Sequence, residues 1–126
     1  MLKGKNQIVA QCATEYRRQF GRYTISVVTI TEMVKGFQKL GHADRVESLL
    51  TAISTEEVLP LELEAALFAG RILGELERIG QSIGRADPLI AGIALARDLT
   101  LVTGNTRHFD RIIDLGFSLK LEDWRQ

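Results

Sequence analysis

The sequence has very little of the chemistry that links small domains covalently or through zinc. Its 126 residues include one cysteine, Cys12, together with two histidines and two prolines. A single cysteine rules out a disulfide within the chain and suits a reducing compartment, so we expect a cytoplasmic protein. No Cys and His residues have the spacing of a zinc site. A chain of this length can form one domain around a hydrophobic core alone.

Long hydrophobic runs and an excess of either charge are also missing. No apolar stretch approaches the roughly 18 residues of a membrane span, and residues 1–6 lack the apolar segment of a signal peptide. Lys plus Arg equals Asp plus Glu, 16 residues each, so no global basic field indicates nucleic-acid binding, although a local patch would suffice. Neither a Walker loop nor a dinucleotide-binding glycine motif is present.

Apolar periodicity predicts helices that alternate with short strands. The helices are expected at residues 8–20, 29–40, 43–53, 61–79 and 88–97. The strands are expected at residues 22–29, 56–60, 99–103 and 117–121, with 99–103 buried. This alternation is typical of an α/β domain with a parallel sheet flanked by helices.

Two acidic residues stand near predicted helix starts, and helix capping alone would explain each of them. Asp87 precedes Pro88, and Asp is among the best N-caps while Pro is favoured at the first helical position. Thr29 and Glu32 fit a capping box, with Thr29 as the N-cap. A purely structural role is therefore an alternative to a chemical one for both acids.

The lengths of the neighbouring elements predict that these acids lie at one edge of the sheet. The helix 88–97 is about 15 Å long, and the strand 99–103 covers about the same distance. Because the turn between them is short, the strand should bring Asn105 back to the level of Asp87. Glu32 directly follows the preceding strand, and the carboxyl ends of parallel strands share one edge, where ligands bind.

Two carboxylates and an amide oxygen are hard oxygen ligands of the kind that suit Mg²⁺ or Mn²⁺. Such an ion could activate a water and stabilise charge on a phosphodiester. Lys35, Arg107 and His108 are candidates for phosphate contact, with a solvated surface charge as the alternative for each. Nucleophilic catalysis has weaker support, because Ser26 and Cys12 lack a base partner in the sequence.

Three stretches of the sequence resemble a PIN domain, and most closely the VapC-like toxins of bacterial toxin–antitoxin pairs. They read SVVTITEMVKGF, GRADPLIAGIALARDLTLVTGNTRHFDRI and LKLEDW, and they span residues 26 to 124. The middle stretch is the most specific, because an acid, a helix, a strand and a T-x-N element follow in order. The resemblance implies a Rossmann-like parallel sheet and a metal-dependent endoribonuclease toxin.

The resemblance also assigns roles to individual residues. Glu32 and Asp87 match acids that bind Mg²⁺ or Mn²⁺, and Asn105 matches the polar residue that follows the fourth strand, so these three are the candidate catalytic residues. The family often has a further acid where this sequence has His108, and Asp110 is an additional candidate metal ligand. The implied partners are an RNA substrate, a second copy of the chain, and a small antitoxin lying along helices 29–40 and 43–53.

The start of the sequence departs from the family pattern. The family begins with a short apolar strand that lies in the middle of the sheet and ends in an Asp that binds metal, whereas MLKGKN resembles the end of the following helix. We therefore expect residues 1–126 to form one PIN-like domain, N-terminally truncated and without the first strand. Backbone groups left buried and unpaired would destabilise it by about 1–3 kcal/mol each.

That departure leaves two alternatives to an active ribonuclease. One is a catalytically impaired PIN-like module that mainly binds an antitoxin. The other is a generic nucleotide-binding α/β protein, which the absence of a glycine-rich phosphate loop argues against.

Overall fold

The computed structural model of the protein describes residues 24–104 and 106–123. The strands in this part of the chain are β1 (Thr24–Ser26), β2 (Glu57–Leu59), β3 (Thr100–Val102) and β4 (Lys120–Glu122). The helices are α1 (Val27–Lys39), α2 (Arg45–Ile53), α3 (Leu63–Arg78), α4 (Ala86–Ala96) and α5 (Thr106–Asp114). The predicted α/β class is confirmed. The helix expected at residues 8–20 lies outside the described residues.

The described strands form two parallel pairs rather than one continuous sheet. β1 pairs with β2, with Ile25 opposite Val58, and β3 pairs with β4, with Leu101 opposite Leu121. Within residues 24–104 and 106–123, no strand joins the two pairs. The expected loss of the first strand concerns the start of the chain, outside the described residues, and stays a prediction.

β1 is shorter than predicted because α1 begins inside the expected strand. Val27 and Val28 have strand propensity, but Ser26 is the N-cap of a helix that includes them. Its Oγ accepts a hydrogen bond from the amide of Thr29 at 3.0 Å, which satisfies one of the free amides of the first turn. The capping box predicted for Thr29 and Glu32 is therefore wrong.

The helices α3 and α4 form the centre of the fold, and they contact each other more extensively than any other two described elements. The buried residues of α3 recur at the predicted spacing: Ala65, Ala69, Ile72 and Leu76. Gly92 of α4 lies against the backbone of Ala65 and the side chain of Ala69, where a Cβ atom would collide. Ile79, expected on the same buried face, is exposed because α3 ends before it.

The buried side chains form two clusters. The larger one contains Ile72, Leu76, Ile83, Ala91, Ala94, Phe109, Ile112 and Leu119. The smaller one contains Leu59, Ala65 and Ile93. Both α3 and α4 contribute to each cluster, so this helix pair connects the β1–β2 side of the molecule to the β3–β4 side.

The strand β3 is less buried than its sequence predicts. Leu101 packs on the larger cluster, whereas Thr100 and Val102 on its other face are exposed. In a strand, alternate side chains point to opposite faces, and only one face of β3 meets the larger cluster.

No helix in the described part of the chain is long and apolar enough to cross a membrane.

Candidate functional site

The first turn of α4 carries Asp87, but Asp87 is not the N-cap. Arg85 occupies the N-cap position without a side-chain capping bond, and the helix begins at Ala86. Asp87 and Pro88 are thus the second and third helical residues. Pro88 fits there because amides of the first turn have no intrahelical partner to lose. The predicted capping role of Asp87 is therefore wrong, and capping does not explain this acid.

The Asp87 carboxylate contacts the imidazole of His108. Its Oδ2 lies 2.8 Å from Nδ1 of His108, and the side chains are 23% and 35% exposed, respectively. His108 is in the first turn of α5, so the chain after β3 does return to the start of α4, as the element lengths predicted. The contact brings together the amino-terminal ends of two helices, where helix dipoles favour negative charge.

Glu32 lies in the second turn of α1, beyond the reach of the helix cap. Its carboxylate forms an ion pair with Lys35, with Oε2 3.1 Å from Nζ. Both side chains are solvent-exposed, and such pairs contribute little to stability. Because α1 packs against α4, the helices that carry Glu32 and Asp87 are neighbours. Lys35, predicted to contact phosphate, therefore lies next to a candidate metal ligand.

The remaining candidates are Asn105, Arg107 and Asp110. Asn105 is outside the described residues, so its position beside Asp87 stays a prediction. Arg107 and Asp110 are exposed on α5. Residues two apart on a helix do not share a face, so α5 does not direct Asp110 to the side on which His108 meets Asp87. The roles predicted for Arg107 and Asp110 also stay predictions.

The donor atoms that the described residues bring together fit a hydrated divalent ion. Within residues 24–104 and 106–123, no group of three or more His, Cys, Asp or Glu side chains is arranged to hold a metal. A tetrahedral zinc site would therefore lack ligands there. An octahedral ion that keeps most of its waters needs only one or two protein donors, and Asp87 with His108 supplies two.

The sequence pattern predicted that Asp87 and His108 lie in the same region, but not that they are in contact. The signal was available, because a helix and a strand of equal length return the chain to its starting level. The sequence pattern placed His108 only as a phosphate contact. The start of α5, which orients the imidazole, was not predicted as a helix.

Comparison with known proteins identifies the class to which this fold and site belong. The sequence profile of the family described as PIN domain matches residues 6–115. The chain therefore belongs to the PIN-domain family, and the predicted fold family is confirmed.

Within that family, the chain is similar to VapC proteins. The tRNA(fMet)-specific endonuclease VapC of Shigella flexneri is 37% identical over 105 residues, which are 82% of this chain and 76% of the relative. A chain in the crystal structure of DNA-bound VapBC from Salmonella typhimurium is 32% identical with a TM-score of 0.75, covering 98% of this chain and 96% of that one. VapBC2 from Rickettsia felis, bound to a promoter DNA fragment, gives 30% identity and a TM-score of 0.74, covering 90% and 84%. The resemblance to VapC-like toxins is confirmed.

Proposed function

We propose that this protein is an endoribonuclease toxin of a type II toxin–antitoxin pair, cleaving RNA phosphodiester bonds. Its relatives carry the names of ribonucleases and a tRNA-specific endonuclease, which does not favour the alternative of an impaired antitoxin-binding module. On this chain, the observation that carries the proposal is the contact between Asp87 and His108. It places a carboxylate without a capping role at two helix amino termini.

The proposed cofactor is Mg²⁺ or Mn²⁺, which when bound would supply an activated water and stabilise charge on the phosphodiester. Asp87 would hold the ion. Glu32 would join it from α1, because an exposed ion pair such as Glu32–Lys35 is weak enough to exchange partners. Asn105 would orient a water or a ligand from the end of β3.

The same region offers positive charge for the RNA backbone. Arg107 is exposed in the first turn of α5, and helix amino termini bind phosphate through free amides and the helix dipole. Lys35 would be released toward phosphate when Glu32 takes the metal. A local patch of this kind explains how a chain with no net charge could bind RNA.

The proposed protein partner is a small antitoxin whose tail lies along α1 and α2. The structural neighbours are VapBC complexes. Met33 on α1 and Leu50 on α2 are exposed, as is Leu40 at the end of α1. Apolar side chains of this kind are suitable anchors for a partner segment. A homodimer is proposed from the family resemblance, and a cytoplasmic location from the reducing compartment that one cysteine suits.

The function can be tested by cleavage of a defined RNA. The initiator tRNA is the first substrate to use, because the Shigella relative is named for it. We expect cleavage with Mn²⁺ and none after chelation with EDTA. Asp87→Asn should lower the rate by about a hundredfold or more, since loss of a metal ligand removes several kcal/mol of transition-state stabilisation.

The matched control is Asp114→Asn, which makes the same change at the exposed last residue of α5 and should cleave like the wild type. Undiminished cleavage in EDTA would contradict metal dependence. Undiminished cleavage by Asp87→Asn would remove Asp87 from the site.

A further inference from the structure

We infer that His108 is a nitrogen ligand that, together with Asp87, makes this site prefer a first-row transition-metal dication to Mg²⁺. The inference rests on the proposed function, because it concerns the ion of the same site. It adds a ligand that the sequence pattern did not assign, and it specifies the class of metal.

The geometry of the pair already suits shared coordination. Two ligands at right angles, each about 2.1 Å from one ion, lie about 3.0 Å apart. The observed separation of His108 Nδ1 and Asp87 Oδ2 is 2.8 Å. The separation of the two atoms therefore matches that of adjacent ligands around one ion, and the ion would take the place of the hydrogen bond once the imidazole turns so that Nδ1 faces the ion rather than Oδ2.

The packing holds both ligands in place. Pro88, next to Asp87, is among the most deeply buried side chains of the described residues, and Phe109, next to His108, is also buried. Phe109 belongs to the larger hydrophobic cluster, and α4 packs directly against α5. Each ligand is thus attached to an anchored helix turn, which is the support that a metal site requires.

The ligand chemistry gives the selectivity. Mg²⁺ is a hard ion that prefers oxygen ligands and water, whereas imidazole nitrogen binds transition metals well. Compared with a site of two carboxylates, a pair made of one carboxylate and one imidazole should therefore lose less affinity for a transition metal than for Mg²⁺. Mn²⁺ is the weakest binder of the divalent transition series and, like Mg²⁺, is well suited by oxygen ligands, so it provides the most demanding probe of this preference.

The experiment is pulsed electron paramagnetic resonance of Mn²⁺ bound to the full 126-residue chain. A directly bound imidazole gives modulation from ¹⁴N, which carboxylate and water ligands do not. We expect this modulation in the wild type and its loss in His108→Gln and His108→Glu. His42→Gln is the matched control, because His42 is the second of the two histidines and lies exposed after α1; it should keep the modulation.

Competition between the two ions provides a second measurement. The concentration of Mg²⁺ that displaces half of the bound Mn²⁺ should fall about tenfold in His108→Glu, within the range that changes around a metal ligand produce. His108→Gln should weaken Mn²⁺ binding itself by about 10–100-fold. Circular dichroism of each variant checks that the fold is retained.

The outcomes separate this inference from the proposed function. Bound Mn²⁺ without nitrogen modulation, or modulation that persists in His108→Gln, would overturn the role of His108 and leave a metal-dependent ribonuclease intact. Failure of the wild type to bind Mn²⁺ would overturn both the ligand and the proposed metal. Nitrogen modulation lost only in the His108 variants would establish the ligand whether or not the chosen RNA is cleaved.

Discussion

At the scale of single residues, position within the first helical turn decides what a side chain can do. Ser26 is at an N-cap, and its hydroxyl is occupied by the amide of Thr29. Asp87 is two residues past its N-cap, at the second helical position of α4, and its carboxylate reaches His108 instead. The two residues both stand at helix starts in the sequence, yet one caps its own helix and the other contacts a histidine of another helix.

This difference predicts different stabilities for two conservative changes. Ser26→Ala removes a true cap and should lower the free energy of unfolding by about 1 kcal/mol. Asp87→Asn removes only a favourable interaction with the helix dipole, worth about 0.3–1 kcal/mol, and can keep a hydrogen bond to His108. Urea unfolding of both variants measures this. Because Asn caps a helix about as well as Asp, an Asp87→Asn loss larger than that of Ser26→Ala would mean that the charge of Asp87 stabilises the fold by more than its interaction with the helix dipole.

The site could be predicted from the sequence only to the level of a neighbourhood. The type and order of Glu32, Asp87 and Asn105 indicated a metal site because strand and helix lengths fix where each element ends. The N-cap of α1 could not be identified from the sequence, since Ser26 and Thr29 lie three residues apart and both residue types are good caps. The contact of Asp87 with His108 depends on the direction in which α5 begins, which the sequence pattern did not show.

At the scale of secondary structure elements, the close packing of α3 on α4 depends on one glycine. Gly92 lies against the backbone carbonyl of Ala65 and against Ala69. The small residues on both helices allow their backbones to approach, and the approach brings Ile93 into the smaller cluster beside Ala65. A methyl group at position 92 would have to push the helices apart.

Gly92→Ala should therefore lower the free energy of unfolding by about 1–3 kcal/mol, the usual effect of overpacking a core. Gly74→Ala is the matched control, because Gly74 is likewise inside a helix, α3, but has no atom within 4 Å of the added methyl group. That change should be neutral or stabilise the protein by up to about 1 kcal/mol through helix propensity. Thermal melting of the two variants would show opposite or clearly unequal shifts; equal losses would contradict the close approach.

The surface of α1 and α2 makes a separate prediction about the antitoxin. Leu50 is 56% exposed, although its neighbour Leu49 is buried. If the antitoxin tail covers this surface, Leu50→Glu should weaken binding by about fivefold or more, the effect of losing roughly 1 kcal/mol at an interface. Calorimetric titration with the cognate antitoxin measures the change.

The control for that titration is Leu63→Glu at the start of α3, where the leucine is 76% exposed. It adds the same charge to a different helix and should leave affinity unchanged. If the two variants bind equally well, the antitoxin does not use α2.

The elements were predicted well where periodicity is long and poorly where the segments are short. The buried spacing of α3 and the apolar character of α4 were evident, because several turns repeat the same pattern. The predicted strand was too long because it included Val27 and Val28, whose β-branched side chains favour strands. The cap formed by Ser26 places them in a helix instead. The described strands have three residues each, too few to show alternation.

At the scale of the whole molecule, the described fold contains two strand pairs and two hydrophobic clusters, and the helix pair α3–α4 lies between the clusters. β2 contributes Leu59 to the smaller cluster, whereas β3 and β4 pack Leu101 and Leu121 on the larger one. α3 and α4 contribute to both. Loss of a residue in one cluster should therefore affect the strand pair on that side first.

The arrangement has a consequence for the way in which the protein opens. The amides of α3 and α4 should exchange with deuterium only in global unfolding, because these helices carry both clusters. The β1–β2 and β3–β4 pairs, which share no hydrogen-bonded strand within the described residues, should exchange earlier and independently, as separate cooperative units. Native-state exchange in low denaturant would resolve them, and Leu59→Ala should speed exchange in β1–β2 while leaving β3–β4 unchanged. A single exchange rate for both strand pairs would mean that the molecule opens as one unit.

Independent opening of the β1–β2 pair has a consequence for the candidate site. Since α1 begins at the end of β1, this opening would also release Glu32 while Asp87 and His108 stay in place.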